Sequence, residues 1–161
     1  MSPSGVISVV AVLPAQPLTV TDANRASVGL PHCTVGHKYY FEAVPTDVEV
    51  LGHFAYVTTL PGGPEDPSLG ARGKVYRFNL RNGNRRLLAT HFLGATGVAV
   101  SPTGRVYVAE LFGNRISTIS LHKRKTVLSV PSPAAIEWHN GQIFATSNAT
   151  SPAGTVIRFT P

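Results

Sequence analysis

The sequence repeats one pattern of short apolar segments every ~40 residues, and this repeat constrains the fold more than any other feature. Three copies align, and they begin near residues 44, 95 and 133. Their segments are rich in Val, Ile, Tyr, Phe and Thr and are bounded by Gly, Pro, Asn or Ser, which is typical of β-strands. Gly52, Gly104 and Gly141 fall between the first two segments of the copies, where short hairpin turns favour positive φ.

Four antiparallel strands at this spacing are typical of a β-propeller blade. We therefore predict an all-β fold, a partial β-propeller of about three four-stranded antiparallel blades in one domain. The third copy stops one segment early, and an orphan apolar segment precedes the repeats, so we predict that this segment is an outer strand that completes a terminal blade. The predicted parts of the domain (residues 1–161) are an orphan outer strand at 5–13, a long loop at 14–43, blades at 44–93 and 94–132, and an incomplete blade at 133–161.

Two kinds of residue recur at matching places in the repeats. The second strands carry Tyr56, Tyr107 and Phe144, which we expect to fill the layers between blades. Glu110 precedes a turn that contains Asn114 and Arg115, and side chains of these types commonly fix a turn by hydrogen bonds to the backbone. We therefore expect structural roles for both sets.

Composition excludes some classes of protein. Fourteen Lys and Arg against eight Asp and Glu give a net charge of +6, but the basic clusters at 81–86 and 122–125 lie in predicted turns without neighbouring aromatic side chains. Nucleic-acid sites usually add such stacking platforms, so we predict no specific nucleic-acid partner. No apolar stretch approaches the ~20 residues that span a bilayer, and we predict no membrane span. Cys33 is the only cysteine, which leaves the compartment open.

Residues 97–119 resemble an NHL-type repeat, with a glycine-led apolar strand, a Pro-x-Gly turn, an aromatic strand and then Asn-Arg-Ile. The chain is more similar to the ScyD/ScyE family of propellers, on residues 44–80 and on the ending at 144–161. This resemblance implies an NHL/gluconolactonase-like propeller of about six blades, of which this chain resembles the C-terminal half. It also suggests a secreted, extracytoplasmic protein, although residues 6–13 make no clear signal peptide.

Three blades cannot close a ring, because known propellers use about 4–8 blades. An open arc exposes an apolar blade face at each end, and such surfaces drive association. Two arcs related by a two-fold axis would leave no open end. We therefore expect the partner to be a second copy of this chain, or a missing N-terminal half.

Candidate binding residues fall in two places. The connection at 61–73 is much longer than its counterparts in the other copies, and its charged residues Glu65, Asp66 and Arg72 are candidates for a ligand site, as insertions in repeat proteins often are. Polar residues on the predicted inner strands would form a ring in the central channel and are the candidates for a metal site: Asp47, Glu49, Glu137 and His139.

The leading functional hypothesis is a non-catalytic binding scaffold without a cofactor, since no nucleophile elbow, phosphate-binding loop or dinucleotide fingerprint is visible. One alternative is a metal-dependent hydrolase or lyase of the gluconolactonase-like group, which would hold Ca²⁺ or another divalent cation in the channel. Another is a truncated, non-functional fragment of a longer propeller. The enzyme question stays open, with the balance towards no catalysis.

Overall fold

A computed structural model describes residues 5–161 of the chain. It begins with a small hairpin, β1 (Gln16–Thr19) and β2 (Lys38–Phe41), which form a two-stranded antiparallel sheet. The connection between them contains one helical turn, α1 (Asp22–Arg25), and a 3₁₀ turn (His32–Thr34). Thr21 caps α1 through a reciprocal pair of hydrogen bonds with Asn24, which explains why so short a helix forms there.

Three antiparallel sheets follow, and we name them the first, second and third blades. The first blade has the order β3 (Ala43–Leu51), β4 (Phe54–Pro61), β5 (Gly73–Asn79) and β6 (Arg85–Phe92). The second has β7 (Ala95–Val100), β8 (Val106–Glu110), β9 (Arg115–Ser120) and β10 (Lys123–Ser129). The third has only β11 (Ile136–His139), β12 (Gln142–Ser147) and β13 (Thr155–Phe159). The prediction of an all-β, partial β-propeller is confirmed.

The blades are equivalent in register as well as in strand order. Tyr56 lies opposite Glu49 and Arg77 in its sheet. Tyr107 and Phe144 hold the same place in theirs, because Tyr107 lies opposite Ala99 and Thr118, and Phe144 opposite Glu137 and Arg158. A residue in one blade can therefore be matched to its counterparts by counting from these aromatic positions.

Two layers of the core lie between the three blades. The first layer joins Tyr56, Val75 and Phe92 of the first blade to Val98, Val106 and Val108 of the second. The second layer joins Tyr107 and Ile116 of the second blade to Ile136, Ile143 and Ala145 of the third. Tyr56 and Tyr107 are buried between blades as expected, whereas Phe144 is only half-buried because no blade of this chain covers its side of the sheet.

Residues 5–13 form no strand and do not complete the third blade, contrary to the sequence-based expectation. The segment instead leads to the first blade, where Leu13 packs with Ala55 and Phe78, and the Arg85 guanidinium donates to the Val12 carbonyl at 3.2 Å. The reason is geometric, because the first and third blades are the two ends of the arc and the second blade separates them.

The region 14–43 is likewise not the plain loop that the sequence suggested, since it contains the β1–β2 hairpin. Gln16 is buried, and its side-chain amide donates weakly to Thr59 and to the Leu60 carbonyl, at 3.5 and 3.4 Å. The hairpin is thereby anchored on the first blade. No helix within residues 5–161 is long and apolar enough to cross a membrane.

Candidate functional site

The long connection at 61–73 lies where β4 ends and β5 begins, beside the passage from the first blade to the second. It lines a cleft of about 170 Å³ together with Glu42, Leu93 and Phe112. The ionisable side chains that line this cleft are all acidic: Glu42, Glu65 and Asp66. We name it the acidic cleft. Because the chain as a whole carries a net charge of +6, this surface differs in sign from the average of the molecule.

The loop is fixed at its start by a close backbone approach. The Gly62 N–H donates to the Glu42 carbonyl at 2.8 Å, which extends the pairing of β3 with β4. A Cβ atom on Gly62 would lie only 2.7 Å from that same oxygen, so a larger residue would push the loop off the strand. The glycine therefore places Glu42 at the wall of the acidic cleft.

Asp66 fixes the middle of the loop. Its Oδ1 atom accepts from the Ser68 N–H at 2.7 Å and caps the 3₁₀ turn Pro67–Leu69. The hydrogen bonds from Ser68 lower the pKa of the Asp66 carboxyl, which is therefore ionised at neutral pH.

Arg72 does not join Glu65 and Asp66, although the sequence grouped the three. Its Nη2 atom donates to the Pro17 and Gln16 carbonyls at 3.3 and 3.5 Å, and the guanidinium lies over the Phe41 ring. Arg72 thus joins the end of the loop to the β1–β2 hairpin, and it lines a separate cleft of about 290 Å³ with Lys74 and other residues. Burial lowers the pKa of Arg72; burial and then the Arg72 charge lower that of Lys74.

The predicted channel residues lie on the inner strands β3 and β11, but they have different surroundings. Asp47 accepts from the Val48 N–H and from the Val98 N–H, each at 2.8 Å, so one oxygen bonds within its own strand and the other ties the first blade to the second. His139 contacts Asn140, with 2.9 Å between Nε2 and the amide nitrogen, and its ring packs near Phe144. Both side chains therefore have hydrogen-bond or ring contacts of their own, apart from any role in the channel.

Glu49 and Glu137 are the channel carboxylates that remain without such ties. Partial burial raises the pKa of Glu49, and the negative charges of Glu137 and Asp47 raise it further. Glu49 therefore lies close enough to Glu137 and to Asp47 for their charges to act on it. Within residues 5–161 no group of three or more His, Cys, Asp or Glu side chains is arranged to hold a metal ion.

Sequence reasoning missed Glu42 and Lys74 as members of the two clefts. Glu42 reaches the acidic cleft only because its backbone pairs with Gly62 across twenty residues of chain, and no motif marks such a pair. Lys74 enters through the first residues of β5, beside the loop that was recognised. Its closeness to Arg72 in the sequence was the available signal.

The fold is that of a β-propeller, of which the described residues contain two four-stranded blades and a three-stranded third. No protein-family model and no curated protein matches the sequence. The comparison with solved structures therefore supplies the evidence, and it concerns the fold.

Three solved structures illustrate the similarity. A gluconolactonase from Xanthomonas campestris, XC5397, matches with a TM-score of 0.57 and 19% identity over 81% of this chain and 50% of that chain. A chain of a nidogen/laminin complex matches with a TM-score of 0.56 and 14% identity over 80% and 53%. A luciferin-regenerating enzyme matches with a TM-score of 0.50 and 19% identity over 78% and 48%. This chain thus spans about half the length of these structures.

Proposed function

We propose that this chain is a non-catalytic binding scaffold of the ScyD/ScyE-like propeller type and that the loop at 61–73 is its recognition element. The observation that carries the proposal is the acidic cleft, which an insertion in one blade builds and which Glu42, Glu65 and Asp66 line. The loop is fixed at Gly62, at Asp66 and at Arg72, so the cleft is preorganised.

The chemistry of the cleft favours a cationic ligand. Carboxylates that are ionised at neutral pH attract amines and guanidinium groups, and the half-apolar lining by Leu60, Phe92 and Phe112 can contact an alkyl stem. A lysine or arginine side chain of a partner has both features. The resemblance to secreted propellers supports an extracytoplasmic setting for such a partner.

A titration with an oligolysine peptide tests this proposal, with an oligoglutamate peptide as the negative probe. We expect salt-sensitive binding of oligolysine, and we expect Glu65→Gln and Glu42→Gln each to weaken it about two- to fivefold, as loss of one exposed charge does. Glu137→Gln is the matched control, because it removes a carboxylate outside the cleft. Equal affinities of the Glu65→Gln protein and the unchanged protein would contradict the assignment.

A second candidate is a cation-dependent hydrolase or lyase of the gluconolactonase-like group. The observation in its favour is the raised pKa of Glu49, which partial burial raises first and the charges of Glu137 and Asp47 raise further, so a cation beside Glu49 would stabilise its ionised form. Glu49 and Glu137 would hold Ca²⁺, and the ion would supply polarisation of a substrate oxygen. A rise in melting temperature with Ca²⁺ that Glu49→Gln abolishes, together with hydrolysis of gluconolactone, would support this candidate.

Ring closure is the third element of the proposal. We propose that a second copy of this chain or a missing N-terminal half supplies the remaining blades, because the chain spans about half of the propellers that it resembles in structure. The remaining alternative, a non-functional fragment of a longer propeller, predicts that the chain expressed alone is insoluble. A soluble protein with one cooperative unfolding transition would argue against it.

A further inference from the structure

The cleft of about 290 Å³ beside the β1–β2 hairpin differs in charge from the acidic cleft. Its walls come from the hairpin, from the end of the loop at 61–73, from the start of β5 and from the end of β6. The ionisable side chains that line it are all basic: Arg72, Lys74 and His91. We name it the basic cleft. Sites for small molecules usually start at about 300 Å³, so its size suits a small ligand.

The local backbone brings these side chains to one place. Arg72 and Lys74 flank the first residue of β5, and alternate residues of extended backbone point to the same side. On β6 a β-bulge leaves His91 out of the strand pairing, between Thr90 and Phe92. His91 has a φ of 66°, and a bulge of this kind re-aims side chains. As a result Thr90 Oγ1 contacts His91 Nδ1, and both residues line the basic cleft.

The two cations of the basic cleft have no compensating charge from the protein. Within residues 5–161 neither Arg72 nor Lys74 forms an ion pair. The described part of the chain also gives no hydrogen-bond acceptor to the buried Nη1 atom of Arg72. An unpaired buried donor is costly, most of all on a charged group. The lowered pKa values of Arg72 and Lys74 agree with this, and an anion beside them would stabilise both charges.

The donors of the basic cleft favour an anion with two charges and several oxygens. Two positive charges that line one cleft are balanced by a dianion, whereas a carboxylate balances only one of them. A guanidinium presents its N–H groups in a planar fork that suits phosphate oxygens, and a lysine adds a point charge. The hydroxyl of Thr90 and the ring of His91 add neutral hydrogen-bonding groups in the same cleft. A phosphate group has both the charge and the number of acceptor atoms.

We infer that the basic cleft binds a phosphate group, either as free phosphate or as the monoester end of a small molecule, with Arg72 and Lys74 as its charged ligands. The inference is independent of the cationic ligand proposed for the acidic cleft. The same loop borders both clefts, along residues 61–66 and at residues 71–72. Arg72 also donates to the Pro17 carbonyl, so a bound phosphate would stabilise the contact of the hairpin with the first blade.

Calorimetric titration of the full chain with inorganic phosphate, at constant ionic strength, tests the inference. We expect saturable binding at one site and weaker binding of acetate. Lys74→Met keeps the apolar stem and removes the charge, so it should weaken phosphate binding about tenfold, as loss of one hydrogen bond from a charged group does. Lys125→Met is the matched control, because Lys125 is exposed on β10 of the second blade. Equal phosphate affinities of the Lys74→Met protein and the unchanged protein, or acetate binding as tight as phosphate binding, would overturn the inference.

The melting temperature separates a ligand role of Lys74 from a structural one. Burial disfavours the charged form of Lys74, so Lys74→Met should not lower the melting temperature in buffer without phosphate. Phosphate should raise the melting temperature of the unchanged chain more than that of the variant. His91→Asn is a second variant, since asparagine tolerates positive φ, and it should weaken phosphate binding about two- to fivefold. A phosphate-dependent rise that both variants retain in full would overturn the inference.

Glycerol phosphate distinguishes the two sources of the phosphate group. Tighter binding than that of inorganic phosphate would support a monoester ligand, and weaker binding would support free phosphate. Absence of binding by both would overturn the inference. Lys74→Met should leave oligolysine binding within about twofold, and Glu65→Gln should leave phosphate binding within about twofold, because each exposed charge is screened by salt. Failure of one proposal therefore leaves the other standing.

Discussion

The second and third blades have the same strand pattern, but only the second has a blade on both of its faces. Tyr107 is 1% exposed and stacks on Trp138 with 5.8 Å between ring centroids. Phe144, at the same place in the third blade, is half-buried, and its aromatic neighbour is His139 of its own sheet. The comparison teaches that the energetic value of a repeat position depends on the neighbouring blade, because burial depends on it.

The same comparison holds where the second strand ends. Glu110 is fully buried, and its carboxylate accepts from Arg115, from Arg124, from Ser117 and from the Leu93 N–H. Its counterpart Ser147 has a single bond, from its hydroxyl to the Pro131 carbonyl at 3.2 Å. The second blade thus joins several strands through one buried ion pair network, whereas the third uses a local hydrogen bond.

Truncating the two aromatic residues should show the largest difference. Tyr107→Ala should lower the free energy of unfolding by about 3–5 kcal/mol, because it leaves a cavity between two blades. Phe144→Ala should cost about 1 kcal/mol in the single chain, where its side is open. Urea unfolding at dilution measures both. A large loss for Phe144→Ala would mean that another surface covers the open side of the third blade.

Removing the buried charge should have the next largest effect. Glu110→Gln should cost about 3 kcal/mol, since two guanidinium groups then lose their carboxylate partner in a partly buried setting. Ser147→Ala should cost about 1 kcal/mol, the usual value of one hydrogen bond. The contrast fails if both substitutions shift the urea midpoint equally.

Two threonines at equivalent places of adjacent blades allow a finer comparison. The Thr46 hydroxyl donates to the Ala95 carbonyl at 2.8 Å, and the Thr96 hydroxyl lies 3.4 Å from the Pro133 carbonyl. Thr46→Val should therefore cost about 1 kcal/mol and Thr96→Val less, because the longer contact is weaker. Thermal unfolding of the two variants in one buffer distinguishes them, and a greater loss for Thr96→Val would contradict the geometry.

The channel carboxylates should show the smallest effect, and it should depend on pH. The pKa of Glu49 is raised in the folded state, so its protonated form favours folding and its ionised form opposes it. This contribution is fully present below the unfolded pKa and is lost as pH rises through the folded pKa. Glu49→Gln should thus be more stable than the unchanged chain at pH 7, by about 0.5 kcal/mol or less, and not at pH 3.5. Melting temperatures at the two pH values test the sign.

Strand number and order came from the sequence because the repeat occurs in three copies. Turn glycines and alternating apolar residues act locally, so the eleven strands of the blades are visible without tertiary information. The β1–β2 hairpin was not visible, because its pairing joins Gln16 to Phe41 across a polar connection with its own helical turn. Residues 5–13 misled because strand propensity does not decide whether an edge is within reach.

The acidic cleft was predictable in part. The insertion at 61–73 marked Glu65 and Asp66, since loop length differs visibly between copies. The position of Arg72 was not predictable, because its partners are backbone carbonyls of the hairpin, to which any cation of suitable length could bind. Likewise, no sequence pattern shows that the Asp47 carboxylate accepts a hydrogen bond from the Val98 N–H of the next blade.

Glu110 has a consequence for how such a chain can diverge. Its carboxylate binds Arg115 on β9 and Arg124 on β10, so loss of Glu110 would leave two guanidinium groups without that partner at once. A substitution at Glu110 would therefore be tolerated best together with changes at both arginines, while Ser147 in the third blade can vary singly. Equivalent positions of the blades are thus under unequal constraint, and the second blade is the one least free to change.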